Sequence, residues 1–173
     1  MLAIVLRLFG IDYRMYPPSV VVLTMATGLL VGFTEEILTR GIAVKILRDA
    51  GLGEWSVAVV SSGIFALLHA ANLFSGMSIV TVLGTIGYTF AFGMLMYLTL
   101  WVTGHLIWPM LIHGLTDPTI MLATGGIDQY GITENTLLEL AGPANLLTMI
   151  VAVVALICIR GRVAKDNSAT GLK

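Results

Sequence analysis

Five apolar stretches, at about 18–44, 55–72, 78–101, 105–124 and 143–161, occupy most of the 173 residues. Each is near the ~20 residues that an α-helix needs to cross a bilayer's hydrocarbon core. The chain is 57% apolar and only 11% charged, with a mean hydropathy of +0.95. A water-facing domain carries about 25% charged residues, so these charges are too few to clothe a soluble surface. The expected fold is all-α, a polytopic transmembrane bundle of about five spanning helices enclosing a polar intramembrane cavity. No soluble domain, internal repeat or low-complexity tract separates the stretches. Residues 18–161 read as the transmembrane core, and 162–173 as a polar cytoplasmic tail. Residues 1–17 read as the stub of a longer N-terminal helix or a short interfacial segment, since they lack the basic start and A-x-A site of a signal peptide. The single cysteine, Cys158, excludes an internal disulfide and any multi-cysteine metal site.

Basic residues cluster at Lys45 and Arg48 after the first stretch, and at Arg160, Arg162, Lys165 and Lys173 after the last. Five spans put both clusters on one side, which the positive-inside rule makes cytoplasmic. Trp55, Trp101 and Trp108 fall at the helix ends on that side, where an aromatic belt belongs. Gly84, Gly87 and Ala91 repeat at helical spacing, which permits close backbone approach of the third stretch to a neighbour. Pro118 lies inside the fourth stretch and removes one of its backbone hydrogen bonds.

Six titratable side chains break the apolar runs: Glu35, Glu36, Arg40, His69, His113 and Asp117. Each costs at least ~2.5 kcal/mol at bilayer depth, so such groups turn to the bundle interior and mark function. Counting ~1.5 Å of rise per residue from the cytoplasmic ends places Glu35, His69, His113 and Asp117 near the middle of the membrane. Glu36 and Arg40 are four apart in the favourable acid-before-base order, which predicts an ion pair. Glu35 points about 100° away, leaving it free, and a free glutamate in a low-dielectric cavity suits the removal of a proton from water. The bland alternative is an ion-pair network that only holds the bundle together. His69 follows Phe65 by four residues, so the rings should stack, and Asn72 is placed to orient the imidazole by a hydrogen bond. His113 and Asp117 are also four apart on one face, close enough for one to orient the other. His105 reads as an ordinary interface residue.

Two histidines and several acids also invite a zinc site. No H-E-x-x-H places two histidines and a base on one helix, which counts against zinc although ligands drawn from three helices remain geometrically possible; neither a metal nor any other cofactor is expected. The alternative to an enzyme is a non-enzymatic membrane protein, either a bacteriocin immunity factor or a proton-coupled carrier. A carrier would show repeated halves around a midplane site.

Taken together, EEILTR (35–40), FALLH (65–69) and HGLTD (113–117) match the pattern E-E-x-x-x-R, F-x-x-x-H and H-x-x-x-N/D. The chain thereby resembles the CAAX-protease and bacteriocin-processing family of intramembrane glutamic endopeptidases, over roughly residues 30 to 120. Each motif alone is weak; three in order, each on its own apolar segment, are specific. The resemblance implies an endopeptidase in which Glu35 and His69 activate water, His113 and Asp117 stabilise the oxyanion, and Glu36 and Arg40 support the site. Prenyl-protein proteases of the family commonly carry asparagine at the last position. Asp117 would have to be protonated to donate to an oxyanion, or would serve to orient His113. The expected partners are a peptide or protein substrate, lipidated or not, and the lipid bilayer, with no nucleic acid.

Overall fold

A computed structural model describes residues 1–126, 130–131 and 134–160, and among these every regular element is helical. α1 (Leu2–Gly10) leads through a 3-10 turn to α2 (Pro18–Glu36), whose first-turn proline is pre-set for the helix and lacks an N–H that would go unpaired there. α2 runs without a break through a π-helical segment, Ile37–Ala43, into α3 (Val44–Asp49). α4 (Glu54–Leu68) tightens at its end into a 3-10 helix, His69–Ser75. α5 (Ile79–Thr103) starts at a Ser78 cap and stops at Gly104, whose φ of 70° reverses the chain. α6 (Ile107–Ala123) and α7 (Thr136–Ala155) complete the bundle.

The protein is an integral membrane protein. Four helical runs are long and apolar enough to span a bilayer: Pro18–Asp49, Glu54–Ser75, Ile79–Thr103 and Thr136–Cys158. α6 is the fifth expected helix and has 17 residues. Its length of about 25 Å at 1.5 Å per residue still crosses most of the core. The last run starts at Thr136 rather than near 143, because Asn135 caps it by accepting from the Leu138 N–H and Pro143 is accommodated inside the helix. Leu23, Leu30 and Phe33 on α2 and Ile150, Val151 and Val154 on α7 are exposed. Bare apolar side chains in such number are what a lipid-facing surface presents. Asp128, Arg162, Lys165 and Lys173, and with them the predicted tail, lie outside the described residues.

Residues 1–17 are built into the bundle. α1 packs against α7 and the end of α6. Asn135 Nδ2 donates to the Gly10 carbonyl at 2.6 Å, and the Tyr16 hydroxyl donates to the Leu122 carbonyl at 2.5 Å.

The closest helix contact joins α2 to α6. Gly28 and Gly32 sit against Gly114 and Pro118, and a Cβ on Gly32 would lie 2.6 Å from the Gly114 Cα and 2.9 Å from the Met110 carbonyl oxygen. Gly84 and Gly87, whose spacing permits such a contact, face open space, with nothing within 4 Å of a Cβ at either. Small side chains permit close approach; whether it occurs depends on the surface opposite. Gly32→Ala should therefore destabilise the protein by about 1–3 kcal/mol or more, since the clash is with backbone. Gly84→Ala should be neutral or stabilising by about 0.5–1 kcal/mol, as for glycine in a helix interior. Thermal unfolding in detergent checks both.

Candidate active site

The site is built from the end of α2, the end of α4 and the middle of α6. Just past Glu35 and Glu36 the helix widens to π geometry at Ile37–Ala43, a rare device that is frequent at functional sites. Thr39 stitches this turn: its hydroxyl donates to the Glu35 carbonyl at 2.6 Å and accepts from Arg40 Nη1 at 2.6 Å.

Glu36 and Arg40 form the expected ion pair, Nη1 to Oε1 at 3.1 Å, with both side chains fully buried. Arg40 is further fixed by Nη2 donating to the Gly93 carbonyl at 2.8 Å and by the Phe65 ring 4.6 Å from its Cζ. A Cβ on Gly93 would stand 3.0 Å from Arg40 Nη2 and 3.1 Å from Ser62 Cβ, so glycine leaves room there for the guanidinium and for α4. Neutralising Glu36 with Glu36→Gln, or Arg40 with Arg40→Met, should destabilise the fold by about 3–5 kcal/mol, because each strands the opposite charge out of water. Combining the two should recover part of the loss. Equal stability of both single variants and the unaltered protein would refute the pair's structural role.

His113 is 2% exposed and meets carboxylates on both ring nitrogens. Its Nδ1 lies 2.9 Å from Glu36 Oε1. Glu36 is the partner of Arg40 and so accepts, which puts a proton on Nδ1. Nε2 faces Asp117 Oδ2 at 3.4 Å and Glu35 Oε2 at 3.8 Å. The Phe65 and Phe92 rings stand edge-on to the imidazole at centroid distances of 5.5 and 5.1 Å. His113 is thus locked in place and its Nε2 aimed at the two acids.

His69 caps α4 and stacks edge-on with Phe65 at 5.1 Å, as the spacing predicts. Its Nδ1 is 3.1 Å from the Phe65 carbonyl. A carbonyl only accepts, so Nδ1 carries the proton and Nε2 of the neutral ring offers a lone pair. Asn72 lies in the following 3-10 turn, where its carbonyl accepts from the Gly76 and Met77 N–H groups. The hydrogen bond that orients His69 comes from Phe65 instead.

Glu35 differs from Glu36 as expected. Its side chain is 30% exposed, and Oε2 is shielded yet has no hydrogen-bond partner. His113, His69 and Asp117 are all close enough to act on it electrostatically. Asp117 is 46% exposed, so the buried trio of Glu36, Arg40 and His113 backs an open side formed by Glu35, His69 and Asp117. Among the described residues no group of three or more His, Cys, Asp or Glu is arranged to hold a metal ion.

Sequence reasoning missed Phe92, Gly93, Thr39 and the two further uses of Phe65, against Arg40 and His113. All four act on residues of the recognised motifs, and only Thr39, one residue before Arg40, carried a local signal.

The family model described as type II CAAX prenyl endopeptidase Rce1-like matches residues 17–119 and so contains every residue of this site. No curated protein and no solved structure matches the chain.

Proposed function

We propose that this chain, which belongs to the type II CAAX prenyl endopeptidase Rce1-like family, hydrolyses a peptide bond inside the membrane with Glu35 as the general base. The observation that carries this reading is the contrast between the two adjacent glutamates. Glu36 is fully buried and its Oε1 is held by both Arg40 and His113, whereas Glu35 is 30% exposed and its Oε2 makes no hydrogen bond, lying 3.8 Å from His113 Nε2 on the open side of the site.

A water molecule has two protons to donate, and the site offers two acceptors, Glu35 Oε2 and His69 Nε2. Donating to both turns the water's lone pair towards an incoming carbonyl carbon. Glu35 takes one proton as the C–O bond forms. The oxyanion that develops accepts from the Nε2–H of His113, which in this scheme is the doubly protonated imidazolium, with Glu36 at Nδ1 fixing its direction and Asp117 at Nε2. The C–N bond then breaks and the proton held by Glu35 passes to the leaving amine, so that water is consumed and Glu35 is regenerated. In this scheme Asp117 holds the Nε2 proton of His113 until substrate arrives, a role aspartate can fill while ionised. No step needs a metal.

The substrate suggested by the family is a peptide ending in C-a-a-X with a lipid on the cysteine. The Lys45 and Arg48 cluster makes that end of the bundle, and the C-terminus with it, cytoplasmic in this reading. The test is release of the C-terminal fragment from an S-farnesylated C-a-a-X peptide by the purified protein, compared with Glu35→Gln.

A further inference from the structure

Arg7, on α1, has no role in the chemistry above, and its surroundings are unusual. It is only 7% exposed, and its Nη1 is buried without a hydrogen-bond partner. Among the described residues it makes no ion pair. A buried guanidinium without an ion-pair partner is a costly arrangement, and among the described residues Arg7 borders two cavities of about 560 Å³ each. One contains Glu134 and Glu139; the other has no acid and is bordered by Thr81, Thr85, Tyr88 and Asn145.

In that second cavity Asn145 Nδ2 donates to the Tyr88 hydroxyl oxygen at 2.9 Å. The oxygen's acceptor capacity is thereby engaged, while its own proton remains available to a further acceptor. Tyr88 is within electrostatic range of both Arg7 and Asp117.

The spacing along α6 is informative. Ile120 borders both cavities, and Thr124 borders the first. They follow Asp117 by three and seven residues, or about 4.5 and 10 Å along the helix at 1.5 Å per residue. Three extended peptide residues span about 10 Å, and a C-a-a-X sequence has three residues after its cysteine.

We propose that Arg7, assisted by Tyr88, is the anion site that binds the C-terminal α-carboxylate of the peptide cleaved at Glu35. The proposal rests on the peptidase reading and adds to it the substrate's free C-terminus as a requirement. A carboxylate fits the planar fork of a guanidinium bidentately, and it would supply the charge that no ion pair among the described residues gives Arg7.

The experiment measures binding of an S-farnesylated C-a-a-X peptide and of its C-terminal carboxamide to the full chain carrying Glu35→Gln in detergent. The acid should bind about 10–100-fold more tightly, the range for a hydrogen-bonded charge. Adding Arg7→Gln should remove the preference, and Arg7→Lys should keep part of it. Equal affinity for acid and amide, or binding of neither, overturns the proposal, and this arm needs no Arg7 variant to fold. Arg7-dependent binding of anionic phospholipid bicelles with no acid preference would likewise overturn it and assign the site to a lipid phosphate. If the acid preference holds but the protein with Glu35 intact cleaves neither peptide, the catalytic reading fails and the carboxylate site stands.

Discussion

Replacing Glu35 by glutamine is expected to slow peptide hydrolysis by about 10²–10⁴-fold, the usual contribution of a general base, with little change in thermal stability. The amide keeps the shape of the side chain but cannot take a proton from water. Stability should hold because the structure gives Oε2 of Glu35 no hydrogen bond to lose. This is the reverse of Glu36, whose Oε1 serves Arg40 and His113 together. The pair of variants therefore separates chemistry from scaffolding at neighbouring positions, one losing turnover and the other losing the fold. Turnover of the farnesylated peptide is measured beside the unfolding temperature. A Glu35→Gln protein that is stable and still active would remove Glu35 from the role of base.

The contacts that could be read from the sequence are those made within one helix. Glu36 with Arg40 and Phe65 with His69 are four residues apart, and helical geometry alone sets them side by side. The π-helical turn at Ile37–Ala43 interrupts that geometry without breaking the Glu36–Arg40 pair. Apart from those of Thr39 and the bond from His69 to the Phe65 carbonyl, the contacts that escaped are between helices. His113 reaches Glu36 across 77 positions of sequence, and Arg40 reaches the Gly93 carbonyl across 53. Such pairs depend on the rotation and depth of each helix, which local spacing leaves undetermined. The glycines make the same point. Gly84 and Gly87 have the spacing of a packing face, but Gly28 and Gly32 are the ones that meet a partner able to come close. The Asn72 expectation assumed a continuing α-helix, and the change to 3-10 geometry at His69 gave the ring a carbonyl of its own helix instead.

His113→Ala should lower kcat by about 10²–10³-fold, equivalent to roughly 3–4 kcal/mol for one lost oxyanion donor, with little effect on substrate binding. Some loss of stability should accompany it, because His113 fills space between Phe65 and Phe92 and satisfies Glu36. A histidine whose Nδ1 is held by a carboxylate presents Nε2 in a fixed direction. With the ring doubly protonated that arrangement suits a proton donor, and with Nε2 bare it is equally the support given to many metal-ligating histidines. Metal content is therefore the discriminating measurement. If Nε2 is a proton donor, protein freed of metal by prolonged treatment with a strong chelator should retain full activity. If Nε2 were a zinc ligand, the chelated protein would be inactive and zinc would restore it, since removing a ligand or the metal has the same effect. Elemental analysis of the purified protein belongs beside the assay. Stoichiometric zinc together with reversible loss of activity would replace the glutamate-activated water with a metal-bound one. Undiminished turnover in metal-free protein would leave the unpartnered carboxylate of Glu35 as the group that takes the proton.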